Sequence, residues 1–190
     1  PGEVRVRIAV SGVNPTDWKR RSAPGPVALS VPNQDGAGVV DAVGPGVDRF
    51  AVGDRVWTMI AAHERPLGGT AQEFTVLPVD RVHPLPESAS FDVGASLGVP
   101  AVTAHRTLTT AEGWPGRLAP GSLAGATVLV AGGAGAVSHA AIQLARWAGA
   151  TVLATTSTAQ KAALATAAGA HATIDYRAAD AADRIRGFAP

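Results

Sequence analysis

The sequence predicts an α/β plus β fold, in which an N-terminal β domain precedes a parallel sheet flanked by helices. Two observations carry this prediction. Up to about residue 85 the chain shows short segments rich in Val, Ile or Phe that are bounded by Gly, Pro or Asp, an all-β pattern. After residue 126 strand-like and helix-like segments alternate. That alternation is typical of a parallel, doubly wound sheet.

The first half is expected to contain five strands. Residues 4–10 form the first, because Val4, Val6, Ile8 and Val10 recur with the period of two that gives a strand one buried face. Four more are predicted at 37–43, 55–60, 71–76 and 81–85, separated by Gly- and Pro-containing turns.

The second half is expected to alternate helices and strands. Ser88 or Ser90 begins a helix toward Thr110, interrupted or offset at Pro100. The apolar positions at spacings of three and four on its predicted face are Val93, Leu97, Ala101, Ala104 and Leu108. After a connector at 113–125, strands are predicted at 127–131, 151–155 and 172–175, with helices at 136–148 and 158–168.

Composition limits the classes of function. A formal net charge of +1 gives no field that would attract a nucleic acid or an anionic membrane. Cysteine is absent, which excludes disulfides and thiolate zinc sites. No apolar run reaches the roughly 20 residues of a membrane span, so we expect a cytoplasmic protein. The five histidines lack ligand spacing and are interpreted as structural or surface residues.

A glycine-rich turn carries the chemistry. Gly133-Ala-Gly135-Ala-Val-Ser138 follows a predicted strand and opens a predicted helix, the context in which glycines bring a backbone close to a pyrophosphate. We assign the tight turn to Gly133 and the close approach to Gly135. A tight turn without a ligand is the alternative.

The end of the next strand indicates which cofactor is preferred. An enzyme that uses NAD places Asp or Glu there for the ribose hydroxyls, whereas this chain has Thr155-Thr156-Ser157-Thr158 followed by Lys161. Hydroxyls and a cation suit a 2′-phosphate, so NADPH is predicted over NADH. The alternative is that Ser157 or Thr158 caps the helix and Lys161 is solvated.

These residues belong to a longer series of motifs along the chain. The others, in chain order, are Gly12-Val-Asn14-Pro-Thr-Asp17, Asp35-Gly-Ala-Gly-Val-Val40, Gly53-Asp54-Arg55-Val56, Gly69-x-Ala71-Gln-Glu73, Thr103-Ala104, Ala141-Ile-Gln143-Leu-Ala145 and Ile174-Asp-Tyr176-Arg177. The chain therefore resembles the medium-chain dehydrogenase/reductase superfamily, and within it the zinc-free NADPH quinone oxidoreductases of the zeta-crystallin-like group.

The resemblance implies a GroES-like domain over 1–100 and a Rossmann domain over 101–190, both incomplete because similar proteins continue further. It implies NADPH in the cleft between them. Zinc-dependent members use positions that Asn14, Gln34 and a residue near Val99 fill here, so no zinc is expected. Loop tyrosines of some members are replaced by Ala23-Pro-Gly-Pro26, which predicts a differently shaped acceptor pocket.

The resemblance also implies roles for single residues. Asn14, Asp17 and Gln34 are substrate-cleft candidates without an obligatory acid, and turn and cap chemistry is the alternative for the first two. The cofactor-binding candidates are Thr103 beside the nicotinamide, Gly133, Gly135, Ala136 and Val137 at the pyrophosphate, and Ser157, Lys161 and Tyr176 at the 2′-phosphate.

The expected activity is hydride delivery from NADPH to a quinone or an α,β-unsaturated carbonyl without zinc. The expected partner is that small-molecule acceptor, and the full-length form is expected to be a homodimer. Two alternatives stay open: a noncatalytic NADPH-binding or structural protein, and an enoyl- or ketoreductase module of a larger synthase.

Overall fold

The computed structural model describes residues 1–20 and 29–188. The chain divides into two compact units, Pro1–Val99 and Pro100–Pro190, and each unit is described by itself. Within the described ranges no helix combines the length and apolar character needed to cross a membrane. The segment 23–26, on which the expectation about the acceptor pocket rests, lies outside the described residues.

The first unit is built on an antiparallel sheet in the order β4-β1-β2-β3-β5. Its elements are β1 (Glu3–Gly12), helix α1 (Pro15–Arg20), β2 (Asp35–Val43), β3 (Arg55–Thr58), β4 (Phe74–Pro78), a short 3₁₀ turn (Val79–Arg81) and β5 (Val82–Pro84). The predicted period of two in β1 is confirmed at Val4 and Val6, which are fully buried. These side chains form the sheet core with Val40, Val56, Leu77 and Val82.

One predicted strand begins later than expected. The strand predicted at 71–76 begins at Phe74, because the preceding segment is held by other bonds. The Ala71 N–H donates to the Pro32 carbonyl at 3.2 Å, and the Gln72 amide donates to the carbonyls of Leu67 and Gly69. These bonds attach residues 71 and 72 to Pro32 and to the segment 67–69, so the ladder with β1 includes this strand only from Phe74 onward.

Helix α2 (Phe91–Thr107) contains Pro100 and follows Ser90, whose hydroxyl accepts from the Val93 N–H at 3.2 Å. The predicted buried face is wrong in its first half, where Val93 is exposed. Gly94, Ala95 and Gly98 are buried instead. Small residues lie on this face because neighbouring backbone and side-chain atoms approach it too closely for larger ones.

The second unit is a parallel sheet in the order β6-β7-β8 with helices beside it. After α2 its elements are β6 (Thr127–Val130), α3 (Ala136–Trp147), β7 (Thr151–Thr156), α4 (Ala159–Ala167), β8 (Ala172–Asp175) and α5 (Ala181–Arg186). The three predicted strands and the first two helices agree with these bounds to within one or two residues. Helices α1 and α5 were not predicted, since each spans only six residues.

Candidate functional site

The turn between β6 and α3 forms the first part of the candidate site. The Gly133 N–H donates to the Thr155 carbonyl at 2.9 Å, and the Gly132 N–H donates to the Thr155 hydroxyl at 3.1 Å. Ser138 Oγ donates to the Ala131 carbonyl at 2.7 Å, which closes the turn from the helix side. The turn is therefore fixed to β7 at one end and to its own helix at the other.

The glycines divide their roles differently from the prediction. Gly132, not Gly133, has the positive φ of 63° that the tight turn requires. Gly133 allows close packing, because a Cβ there would lie 2.7 Å from the Ala154 Cβ and 3.0 Å from the Ala165 Cβ. At Gly135 a Cβ would meet nothing closer than 3.4 Å. The close packing that the dinucleotide fingerprint assigns to its third glycine is thus supplied by Gly133.

The N-terminus of α3 presents donors without intrahelical acceptors. The first bond of this helix runs from the His139 N–H to the Gly135 carbonyl at 2.7 Å, so the N–H groups of Ala136, Val137 and Ser138 have none. Gly135, the N-cap residue, has no side chain to cap them. A twelve-residue helix with these groups at its positive end favours an anion, and a pyrophosphate fits this chemistry.

The four predicted hydroxyl residues at the end of β7 have different surroundings. Thr155 and Thr156 are buried, and Thr158 caps α4 by accepting from the Lys161 N–H at 3.2 Å. Ser157 accepts from Lys161 Nζ at 3.2 Å. The capping alternative therefore holds for Thr158, while Ser157 and Lys161 stand together as the pair able to meet a phosphate.

Tyr176 follows β8 at the same edge of the sheet. Its backbone N–H donates to the Thr156 carbonyl at 3.2 Å, and its side chain is 57% exposed. Because β7 and β8 are parallel, with Thr156 paired to Asp175, the residues that follow both strands lie at one carboxyl edge. The structure thus brings Ser157, Lys161 and Tyr176 to the edge where α/β sheets bind their ligands.

A salt bridge beside Tyr176 was missed by sequence reasoning. Arg177 donates to both carboxylate oxygens of Asp175, at 3.0 Å and 2.7 Å, and these bonds lower the pKa of Asp175 to about 2. The pair neutralises a carboxylate that would otherwise repel an anion at this edge. The Asp-x-Arg spacing in the sequence is the signal that could have found it.

Thr103, the remaining cofactor candidate, lies on α2 with its side chain exposed. No described hydrogen bond of Thr103 joins it to the glycine turn or to the phosphate residues. Its expected position beside the nicotinamide stays a prediction.

The substrate-cleft candidates of the first unit lie around the start of α1 and β2. Asp17 Oδ2 accepts from the Asn14 backbone N–H at 2.7 Å, so Asp17 has the cap role of the alternative interpretation. Asn14 and Gln34 are both buried, at 7% and 8% exposure. Gln34 Oε1 has no hydrogen-bond partner among the described residues. Asn14 does not cap the helix with its side chain, which bonds elsewhere.

Asp35 is the partner of Asn14 and was not predicted as a site residue. Asn14 Nδ2 donates to Asp35 Oδ2 at 2.7 Å, and the Val99 N–H donates to both carboxylate oxygens at 2.9 Å. Burial raises the pKa of Asp35 to about 6, against the lowering effect of these bonds. The sequence signal was present in Asp35-Gly36, but a lone carboxylate at the start of a strand resembles many surface residues.

The donors present at the three zinc positions do not fit a zinc ion. Asn14 and Gln34 supply amides, the Asn14 amide nitrogen is engaged by Asp35, and Val99 offers a backbone N–H. Zinc in proteins takes thiolate, imidazole or carboxylate ligands. Among residues 1–20 and 29–188, no group of three or more His, Cys, Asp and Glu side chains could hold a metal ion.

An antiparallel β unit and a glycine turn on a parallel sheet define a class, the GroES-like nucleotide-dependent dehydrogenases. Residues 1–87 match the alcohol dehydrogenase GroES-like domain, and residues 136–189 match the zinc-binding dehydrogenase family. The chain belongs to the medium-chain dehydrogenase/reductase superfamily. The predicted fold class, a GroES-like β domain followed by part of a Rossmann-type sheet, is confirmed.

The chain is similar to several characterised oxidoreductases. It is 34% identical over 187 residues to quinone oxidoreductase of Mus musculus, covering 97% of this chain and 53% of that protein. It is 35% identical over 193 residues to 2-haloacrylate reductase of Burkholderia sp., covering 98% of this chain and 54% of that protein. Escherichia coli quinone oxidoreductase, solved in complex with NADPH, superimposes with a TM-score of 0.76 at 29% identity, over 98% of this chain and 54% of that one. The chain spans about half the length of the curated relatives it matches.

Proposed function

We propose that this chain is the part of an NADPH-dependent oxidoreductase that binds the adenosine side of the cofactor and carries acceptor-site residues. The observation that supports this most directly is one sheet edge with two anion-binding features. Three N–H groups at the start of α3 suit the pyrophosphate, and Ser157, Lys161 and Tyr176 suit the 2′-phosphate.

The proposed reaction is hydride transfer to a quinone or an α,β-unsaturated carbonyl. NADPH supplies the hydride when bound. The protein binds and orients the acceptor and excludes water from it. Similarity to quinone oxidoreductases and to a 2-haloacrylate reductase supports this acceptor class. Both acceptors are electrophilic without a metal, so the amide donors at Asn14 and Gln34 are consistent with a zinc-independent reaction.

The other parts of the proposal follow from composition and resemblance. We propose domain boundaries at 1–100 and 101–190, a homodimer for the full-length protein and a cytoplasmic location. The small net charge of +1 supports a protein that binds a small molecule rather than a polyanion.

The cofactor proposal is tested by titrating NADPH and NADH separately into the chain and into two variants. Lys161→Ala is expected to weaken NADPH about tenfold, because one charge-assisted contact contributes about 1.5 kcal/mol, and to leave NADH unchanged. Arg184→Ala is the matched control, since it removes a cation from the exposed face of α5 in the same unit.

The result separates the proposal from its alternatives. Saturable NADPH binding with turnover of a quinone supports the oxidoreductase, and binding without turnover supports a noncatalytic NADPH-binding protein. Equal effects of Lys161→Ala on NADPH and NADH, in a cooperatively folded chain, would contradict the assignment of Lys161 to the 2′-phosphate.

A further inference from the structure

Asp35 is a buried carboxyl group without a basic partner in the described part of the chain. Asp35 is 1% exposed. None of the ion pairs among residues 1–20 and 29–188 includes it. Burying a carboxylate without an opposite charge is costly. Such a group calls for an explanation beyond packing.

The surroundings of Asp35 are built to hold it in one place. Its two oxygens accept from the Val99 N–H and from Asn14 Nδ2. A Cβ at Gly98 would lie 2.1 Å from Asp35 Oδ1, so only glycine lets the carboxyl group reach the backbone of α2. Both groups that bond to the Asp35 carboxyl group, the Val99 N–H and the Asn14 NH₂, are donors. An ionised carboxylate requires this arrangement because it can only accept.

This arrangement fixes the direction of the Asn14 amide. A side-chain amide has a donor end and an acceptor end, which exchange places when the group rotates by about 180°. With Nδ2 turned to Asp35, Oδ1 of Asn14 is turned away from it. A proton on Asp35 would convert the carboxyl group into a donor toward Asn14, and the amide would then turn Oδ1 inward and its NH₂ outward.

We propose that Asp35 is a positioning residue of the acceptor site: its carboxylate sets the direction of the Asn14 amide, and proton uptake by Asp35 reverses it. The proposal rests on the proposed function in that Asn14 contacts the acceptor. The reversed amide presents its NH₂ to the carbonyl oxygen on which negative charge develops when hydride arrives. The proton comes from solvent, and no covalent bond of the protein is changed.

The charges around Asp35 allow this proton uptake in an accessible range. Burial raises the pKa of Asp35 to about 6, the bonds from Asn14 and Val99 lower it, and the negative charge of Asp17 on α1 raises it. The neighbours of Asp35 on the other elements are Gly12 of β1, Thr70, and Gly98 and Val99 of α2. None of these carries a charge, so Asp17 is the charged group that faces Asp35.

The chain offers an unusually clean experiment because it contains two asparagines, Asn14 and Asn33. Selective labelling with ¹⁵N-asparagine gives two side-chain NH₂ signal pairs, followed by NMR from pH 5 to 8 on the whole chain. We expect the Asn14 pair to move with a midpoint near 6. Asn33 is the internal control, since its Nδ2 donates to Ser11 Oγ at 2.9 Å and its signals should stay constant.

Asp35→Asn provides the variant. The amide at position 35 can accept from Val99 with its oxygen and donate to Asn14 Oδ1, which mimics the protonated form. The Asn14 signals should then be independent of pH. Constant Asn14 signals in the folded unsubstituted chain, or the same midpoint in the variant, would overturn the proposal, and the first of these needs no variant to fold.

Quinone reduction with NADPH gives a second, separate readout on the full-length protein. The rate should rise roughly thirtyfold from pH 7.5 to pH 5 if only the protonated form reacts, since that is the change in its population for a midpoint near 6. In Asp35→Asn this dependence should be lost. An amide that titrates without quinone turnover contradicts the proposed function alone, whereas turnover with a constant amide signal contradicts the positioning role alone.

Discussion

Two glycines allow close approaches around Asp35 that no other residue would permit. A Cβ at Gly12 would lie 2.4 Å from the Ala95 carbonyl oxygen, and one at Gly98 would lie 2.1 Å from Asp35 Oδ1. Since real Cβ atoms do not approach this closely, either substitution would displace α2 or the carboxyl group. The environment of Asp35 therefore depends on residues with no functional group of their own.

The stability of the chain should depend on pH through Asp35. Its pKa is about 6 when folded against an ordinary value of 3.8, so the folded state holds the proton more tightly. The free energy of unfolding should therefore fall as pH rises from about 4 to about 6. The loss is on the order of 3 kcal/mol for a difference of about two pKa units. Urea unfolding at pH 4, 5, 6 and 7 measures it.

Comparison with Asp35→Asn isolates this contribution. Burial lowers the pKa of His83, which gives the opposite slope near pH 6.5, and the lowered pKa of Asp175 acts below pH 4. Both effects are common to the two proteins, so their difference reports Asp35. Asp48→Asn, which removes an exposed carboxyl group from the same unit, should change stability by less than about 0.5 kcal/mol. Parallel curves for the unsubstituted chain and Asp35→Asn would refute the prediction.

At the scale of elements, the start of α4 combines two tasks that neighbouring hydroxyl groups divide between them. Thr158 satisfies a backbone N–H of the helix, and Ser157 faces Lys161 Nζ. One side chain stabilises the helix and the other is available to a ligand. Each hydroxyl group has its own partner, so removing one of them by substitution leaves the other bond in place.

Thr158→Ala should therefore affect stability alone, and Ser157→Ala should affect NADPH affinity alone. Loss of the Thr158 cap should lower the free energy of unfolding by about 1 kcal/mol and leave the ratio of NADPH to NADH affinity unchanged. Ser157→Ala should leave stability within about 0.5 kcal/mol and weaken NADPH about tenfold through loss of a charge-assisted bond. Each variant is the control for the other in urea unfolding and fluorescence titration. A loss of NADPH preference in Thr158→Ala would mean that the cap residue also contacts the phosphate.

The elements show what the sequence could predict and where it could not. The strands of the parallel sheet were predicted almost to the residue. Strands β6 and β7 each contain three consecutive apolar residues, at 128–130 and 152–154, and β8 alternates Ala172 and Ile174 with polar residues. The buried face of α2 was predicted correctly at Ala104 and, just after the helix, at Leu108. In the first half of the helix the buried residues are the small Gly94, Ala95 and Gly98. The bonds from Val99 and Asn14 to Asp35 join positions 64 and 21 residues apart, and no local pattern encodes such pairings.

At the scale of the whole molecule, the cofactor candidates are concentrated in one of the two compact units. Thr103, the glycine turn, Ser157, Lys161 and Tyr176 all fall within Pro100–Pro190. The chain covers 53% of the length of mouse quinone oxidoreductase. Whether these residues suffice to bind NADPH is therefore a property of the 190-residue chain that can be measured directly.

We expect NADPH to stabilise the chain by mass action, because the sheet edge and the start of α3 exist only when the second unit is folded. At a free concentration about 100 times its Kd, NADPH should raise the free energy of unfolding by about 2.7 kcal/mol. Urea unfolding with and without cofactor measures this, and Lys161→Ala should lose about half of the gain at the same NADPH concentration, while Arg184→Ala keeps it. A cooperatively folded chain with the same unfolding midpoint at every NADPH concentration would show that Ser157, Lys161 and Tyr176 do not form a binding site in this chain. A gain that is equal for NADH would place the stabilising contacts at the pyrophosphate and not at the 2′-phosphate.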